Sequence, residues 1–109
     1  VWSEGRTWAH HLFIVRAAPN GMDDTRIGIT ASRKVGNAVV RNRARRLLRE
    51  AARHLYGDIA DGWDIVLLAR SALPEAKAPQ VEQALRTVLE RADLIRTVSP
   101  EDHRQKLGT

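Results

Sequence analysis

Arginine is the residue whose type and spacing carry chemistry in this chain. Arg41, Arg45, Arg49 and Arg53 recur every fourth position, so at about 100° per residue a helix sets them in one row. Asn42 and Arg46 lie beside that row, and Arg43 sits further round, toward Glu50. A guanidinium group is planar and permanently charged. Its fork of donors matches phosphate oxygens in bidentate geometry, and its plane stacks on bases. Like charges at i,i+4 repel by a few tenths of a kcal/mol each, a cost that a bound polyanion removes. Asn42 adds a donor and an acceptor suited to a 2′-hydroxyl, a base edge or a metal-bound water. A merely solvated helix face mixes signs. Here Glu50 is the only acid among the eight basic residues from Arg33 to Arg53, which favours a polyanion-binding face.

Just before this stretch, Ser32-Arg33-Lys34-Val35-Gly36-Asn37 forms a basic connector. Gly36 can adopt positive φ, and free amides at a helix start can receive phosphate. The GKS/T ending of a nucleotide-binding loop is missing and the glycine spacing is wrong for one, which argues against nucleotide hydrolysis.

Other candidates carry less. Trp2, Trp8 and Phe13 can stack on single-stranded bases or pack as core and edge hydrophobes; Trp8 and Trp63 are read as packing residues. His10 and His11, taken as neighbours on a strand, would point to opposite faces and have no third ligand near in sequence. Asp23, Asp24, Asp58 and Asp61 fall in turn-like segments where carboxylates cap backbone amides. Ser32 has no evident general base. No catalytic residue and no metal ligand is assigned.

The whole chain supports this reading. Its 109 residues suit one domain, and 43% hydrophobic with 28% charged residues is a globular composition. Eighteen Lys and Arg against thirteen Asp and Glu leave a formal charge of +5, which points to nucleic acid or an acidic surface. The absence of cysteine excludes disulfides and thiolate metal sites and permits a reducing, cytoplasmic location. No apolar run approaches the roughly 20 residues of a membrane span, and no signal-peptide pattern is present; no membrane partner is expected. Because the sequence starts at Val1, it is expected to continue upstream.

The elements that must position the arginines follow from periodicity. Residues 11–15 and 26–31 are β-branched or alternating, are separated by turn formers, and read as an antiparallel pair. Over residues 38–56 the period becomes helical, with Val40, Ala44, Leu47, Leu48, Ala51 and Leu55 on one apolar stripe facing away from the arginines. Asn37 is the expected N-cap and Gly57 the stop. Residues 63–69 form a nearly continuous apolar run, expected as a central strand buried on both faces. Val81, Leu85, Val88, Leu89 and Ala92 mark a second helix that should cover the sheet, with Pro79 in its first turn. The expected fold is α+β: a single-domain two-layer sandwich, with a small, mostly antiparallel sheet covered by helices and a βαβ crossover in the middle. The domain is expected over residues 1–98, with its N-terminal helix truncated, and residues 99–109 as a flexible tail. Base rates make a parallel crossover right-handed.

The run Arg26-Ile27-Gly28 followed by SRKVGNAVVRNRARRLLREAAR, ending at Arg53, closely resembles the signature region of the bacterial ribonuclease P protein. It holds an R-x-G strand, a basic K-x-G-N-A-V turn and an RNR helix in register. Trp63 to Arg70 resembles that family's D-x-V-x-x-A-R strand, and the residues from Val1 to Arg6 resemble the end of its first helix, most of which is absent. The resemblance implies a left-handed βαβ crossover, against the base rate. It also implies an endoribonuclease subunit that is not itself the catalyst. A large RNA cleaves the 5′ leader from precursor tRNA with Mg2+ held mainly by RNA, while the protein binds that RNA and the leader. Carried over by position, Arg33, Lys34, Asn37, Arg41, Asn42, Arg43, Arg45, Arg46, Arg49 and Arg53 would meet RNA. The leader would lie on the sheet face, pointing to Trp2 and Phe13, and Arg16 stands where some members carry an aromatic. The partners implied are the catalytic ribonuclease P RNA and precursor tRNA, with no DNA. A general or ribosomal-type RNA-binding protein is the alternative, and an autonomous nuclease a third reading that lacks clustered acidic ligands.

Overall fold

A computed structural model describes residues 5–95. Trp2 and the expected tail, with the boundary at residue 98, lie outside the described residues. In chain order the elements are β1 (Arg6–Ala9), β2 (Phe13–Pro19), β3 (Arg26–Thr30), α1 (Ala38–Leu55), β4 (Trp63–Ala69) and α2 (Ala78–Arg91), with a 3-10 turn at Arg33–Val35. The sheet runs β1-β2-β4-β3. β1 and β2 are antiparallel, β2 and β4 are antiparallel, and β3 is parallel to β4. The unit β3, α1, β4 is therefore the expected βαβ crossover, and the α+β fold stands.

Two expectations are corrected, and one strand is added. β2 and β3 are not an antiparallel pair, because β4 lies between them. The connection between them is strapped to the start of β4 instead of closing a hairpin: Asn20 N donates to Gly62 O (2.9 Å), and Thr25 Oγ1 donates to Ala60 O (2.6 Å) and accepts from Trp63 N (3.1 Å). The stretch from Val1 to Arg6, which resembles the end of a helix and its exit, falls mostly outside the described residues; Arg6 itself opens a strand that sequence reading did not anticipate, with Trp8 its one partly buried residue, four residues being too few to show alternation. β4 is central but not buried on both faces. Ile65 and Leu67 are buried, whereas Asp64, Val66 and Leu68 are half-exposed, since the core lies on one side of the sheet.

That side is set by strand parity. Phe13, Val15 and Ala17 of β2 pair with Ala69, Leu67 and Ile65 of β4, and Ile27 and Ile29 of β3 continue the same face. These residues pack with Ala44, Leu48, Ala51, Ala52 and Leu55 of α1 and with Val81, Leu85, Val88 and Leu89 of α2 in one core. α2 lies along α1, where the His54 ring nitrogen Nδ1 is 2.8 Å from the Glu82 carboxylate. Pro79 is in its first turn, as expected.

Candidate RNA-binding surface

Helix α1 begins where its sequence says it should. Asn37 is in extended conformation and its Oδ1 accepts from Val40 N at 3.0 Å, satisfying one of the donors that a helix start leaves open. The connector before it is shaped by Gly36, whose φ is +152°. A Cβ there would come within 2.7 Å of the Val40 side chain, so only glycine lets the basic turn close onto the helix. Ser32 caps that turn, its hydroxyl accepting from Lys34 N (3.3 Å). Arg33 and Lys34 are both exposed.

The apolar stripe divides the helix. Ala44, Leu48 and Leu55 are completely buried and Ala51 nearly so, which turns Arg41, Arg45, Arg49 and Arg53 away from the core in their predicted row. Among the described residues, the side chains of Arg33, Lys34, Arg41, Arg46 and Arg49 make no hydrogen bond to the protein. Two others are steadied within the row: Arg45 donates to Asn42 Oδ1 (2.9 Å), which leaves the Asn42 amide free to donate, and Arg53 donates to Glu50 Oε1 (2.6 Å). That bond with Arg53 lowers the Glu50 carboxyl below its ordinary range, so the one acid here stays ionised. Arg43 stands on another flank, where its Nε donates to Pro74 O at 2.8 Å. One of its donors thus serves the fold.

The stacking role expected of Phe13 does not survive. Its ring is wholly buried on the helix side of the sheet and stacks on His10, with centroids 4.9 Å apart. A strand alternates faces, so the open side carries its neighbours Ile14 and Arg16, half-exposed and exposed respectively. Beside them on that open face lie Val66 and Leu68 of β4 and Gly28 and Thr30 of β3. A hollow of about 380 Å³ lined by Ile14, Ser32, Lys34, Arg70 and Ser71 joins this face to the basic connector. His10 and His11 prove to sit in the turn between β1 and β2. His10 Nδ1 accepts from Leu12 N (3.0 Å), and burial is the main cause that lowers its pKa.

The R-x-G arginine has a role that sequence reading missed. Arg26 grips Asp64 with both ends of its fork, Nε to Oδ1 and a terminal nitrogen to Oδ2, each at 2.8 Å, across the β3–β4 register. Asn20 Nδ2 adds a third bond to Oδ1 at 3.0 Å. The Arg26 bond first, and the Asn20 bond second, hold the Asp64 carboxyl below the usual carboxylate range. The signal available in sequence was that both residues belong to motifs, R-x-G and D-x-V; that the two motifs meet required the topology. No group of three or more His, Asp or Glu able to hold a metal occurs among the described residues.

Comparison with known proteins agrees with this geometry. A family model described as Ribonuclease P matches residues 1–93. The Ribonuclease P protein component of Roseiflexus castenholzii is 45% identical over 96 residues, spanning 87% of this chain and 79% of that relative. Among solved structures, the Staphylococcus aureus RNase P protein superposes with a TM-score of 0.75 at 32% identity, covering 86% of each chain. The Thermotoga maritima RNase P protein does so with a TM-score of 0.73 at 36% identity, covering 81% of this chain and 84% of that one.

Proposed function

Because the chain belongs to the ribonuclease P protein family, we propose that it is the protein subunit of a ribonuclease P ribonucleoprotein, holding the catalytic RNA and precursor tRNA while the RNA performs the cleavage. The observation that carries this reading is the outward guanidinium surface of α1, with Arg41, Arg46 and Arg49 unpartnered among the described residues, opposite a face whose Ala44, Leu48, Ala51 and Leu55 are buried. Arg41, Arg46 and Arg49 are free to neutralise phosphates, Arg45 and Arg53 are oriented by Asn42 and Glu50, and Arg33 and Lys34 extend the surface across the connector. Free charge on a rigid, well-packed helix binds a polyanion without first breaking internal bonds.

The 5′ leader is assigned to the open face of the sheet, along Ile14, Arg16, Val66 and Leu68. Arg16 there offers a guanidinium plane and a charge where an aromatic would offer only a plane. Mg2+ is assigned to the RNA, and no step is drawn through a metal on this chain.

Reconstitution tests the proposal. The protein alone should leave precursor tRNA intact, and adding it to the catalytic RNA at low magnesium should restore 5′ cleavage. Failure to stimulate, or equal binding of leader-bearing and mature tRNA, would count against it.

A further inference from the structure

Where the end of α1 passes the free edge of β3, a groove of about 460 Å³ opens between Ile27, Ile29, Arg49, Ala52, Arg53 and Tyr56. Its floor is apolar, from the two isoleucines of the strand and the small Ala52 of the helix. Its rim is the last turn and a half of the arginine row. β3 is the last strand of the sheet, so its outer backbone groups have no strand partner among the described residues. Tyr56 closes the end of the groove. It is 47% exposed, unusual for a large ring, yet it is fixed in place because its hydroxyl donates to Thr25 O at 2.7 Å. An exposed aromatic held rigidly, an apolar floor, edge-strand donors and acceptors, and two guanidinium groups are together the parts of a site for one unstacked nucleotide.

We propose that this groove receives a single unpaired base of the RNA bound by α1, stacked on Tyr56 and packed over Ile27 and Ile29, with its flanking phosphates on Arg49 and Arg53. The inference rests on the RNA-binding reading of α1 and deepens it. The arginine row alone tracks any phosphate backbone, whereas the groove requires a strand interruption, a bulge or a loop. RNA is favoured over an apolar peptide because the rim carries two arginines against the one acid Glu50, which pairs with Arg53, and is continuous with the rest of the arginine row.

The test uses the full-length protein with two probes, a 12-nucleotide single-stranded RNA and a 12-base-pair RNA duplex. Tyr56→Ala should weaken single-strand binding by about fivefold to a hundredfold, the range for loss of one base–aromatic stack, while duplex affinity and the salt slope of binding stay within twofold. Ala52→Phe, which fills the floor, should act the same way, and Tyr56→Phe, which keeps the ring but loses its bond to Thr25 O, should weaken single-strand binding less than Tyr56→Ala does. In the unmodified protein the single strand, but not the duplex, should shift the Ile27 and Ile29 methyl resonances, a readout that needs no variant to fold. Unmoved methyls, unchanged single-strand affinity in Tyr56→Ala, or equal loss for both probes overturns the groove assignment while leaving the arginine row standing. Concentration-dependent self-association abolished by Ala52→Phe, with unmoved methyls on RNA addition, would make the groove a protein-docking edge and also overturn it. Loss of all salt-dependent RNA binding in the unmodified protein would instead sink the RNA-binding reading and the groove with it.

Discussion

The arginines of the outward face of α1 and those that brace the fold share a chemistry and differ in their partners. Arg26 is locked onto Asp64, Arg70 donates to His10 O at 3.1 Å, and Arg43 to Pro74 O. In each case the guanidinium ties together segments distant in sequence. On the outward face of α1, by contrast, the side chains of Arg41, Arg46 and Arg49 make no hydrogen bond among the described residues. Residue type says that a group can hold phosphate; whether it is available to do so depends on what the fold already asks of it. Net charge therefore overstates the binding surface, and the unpartnered subset is the better guide.

Four substitutions would break or sharpen that contrast. The largest effect is expected from the buried face of α1. Leu48→Ala should cost about 2–5 kcal/mol of stability, read from chemical denaturation, while the salt slope of RNA binding is kept in the fraction that remains folded. Next is the cap that sets where the arginine row begins. Asn37→Ala should cost about 1 kcal/mol and lower RNA affinity through fraying of the first turn, measured by amide exchange at Val40.

A smaller effect is expected from the tied arginine. Asp64 has a depressed native pKa, so its contribution is fully present above the unfolded value of about 3.9 and is lost as the pH falls through the lower native value. Asp64→Asn should lower Tm at neutral pH, and the gap from the parent protein should close in acid. A gap that does not change with pH would show that the Arg26 grip is not charge-dependent. The smallest stability effect belongs to the free group. Arg46→Ala should change stability by no more than about 0.5 kcal/mol, yet reduce the slope of log affinity against log salt by about one unit. A destabilised but equally salt-sensitive variant would move Arg46 into the tied class.

Much of the molecule was legible in the sequence where the signal was local. The start of α1 at Asn37, the division of that helix into an apolar stripe and an arginine row, and Pro79 in the first turn of α2 all follow from periodicity and capping within one element. The failures share a cause. Phe13 was placed on the binding face, Arg26 was not seen as a clamp, and β2 was paired with β3, because each depends on which strand lies beside which and on which face the helices cover.

What the sequence by itself determined is therefore the helix that carries charge outward and the family to which its motifs belong. Both reside in contiguous residues whose side-chain directions are set by a 3.6-residue period. Tertiary structure alone decided which arginines stay free, which side of the sheet is open, and that Tyr56 and Ile29 share a groove. Those are properties of strand order and one-sided packing, and they arise only when residues far apart in the chain compete for the same core.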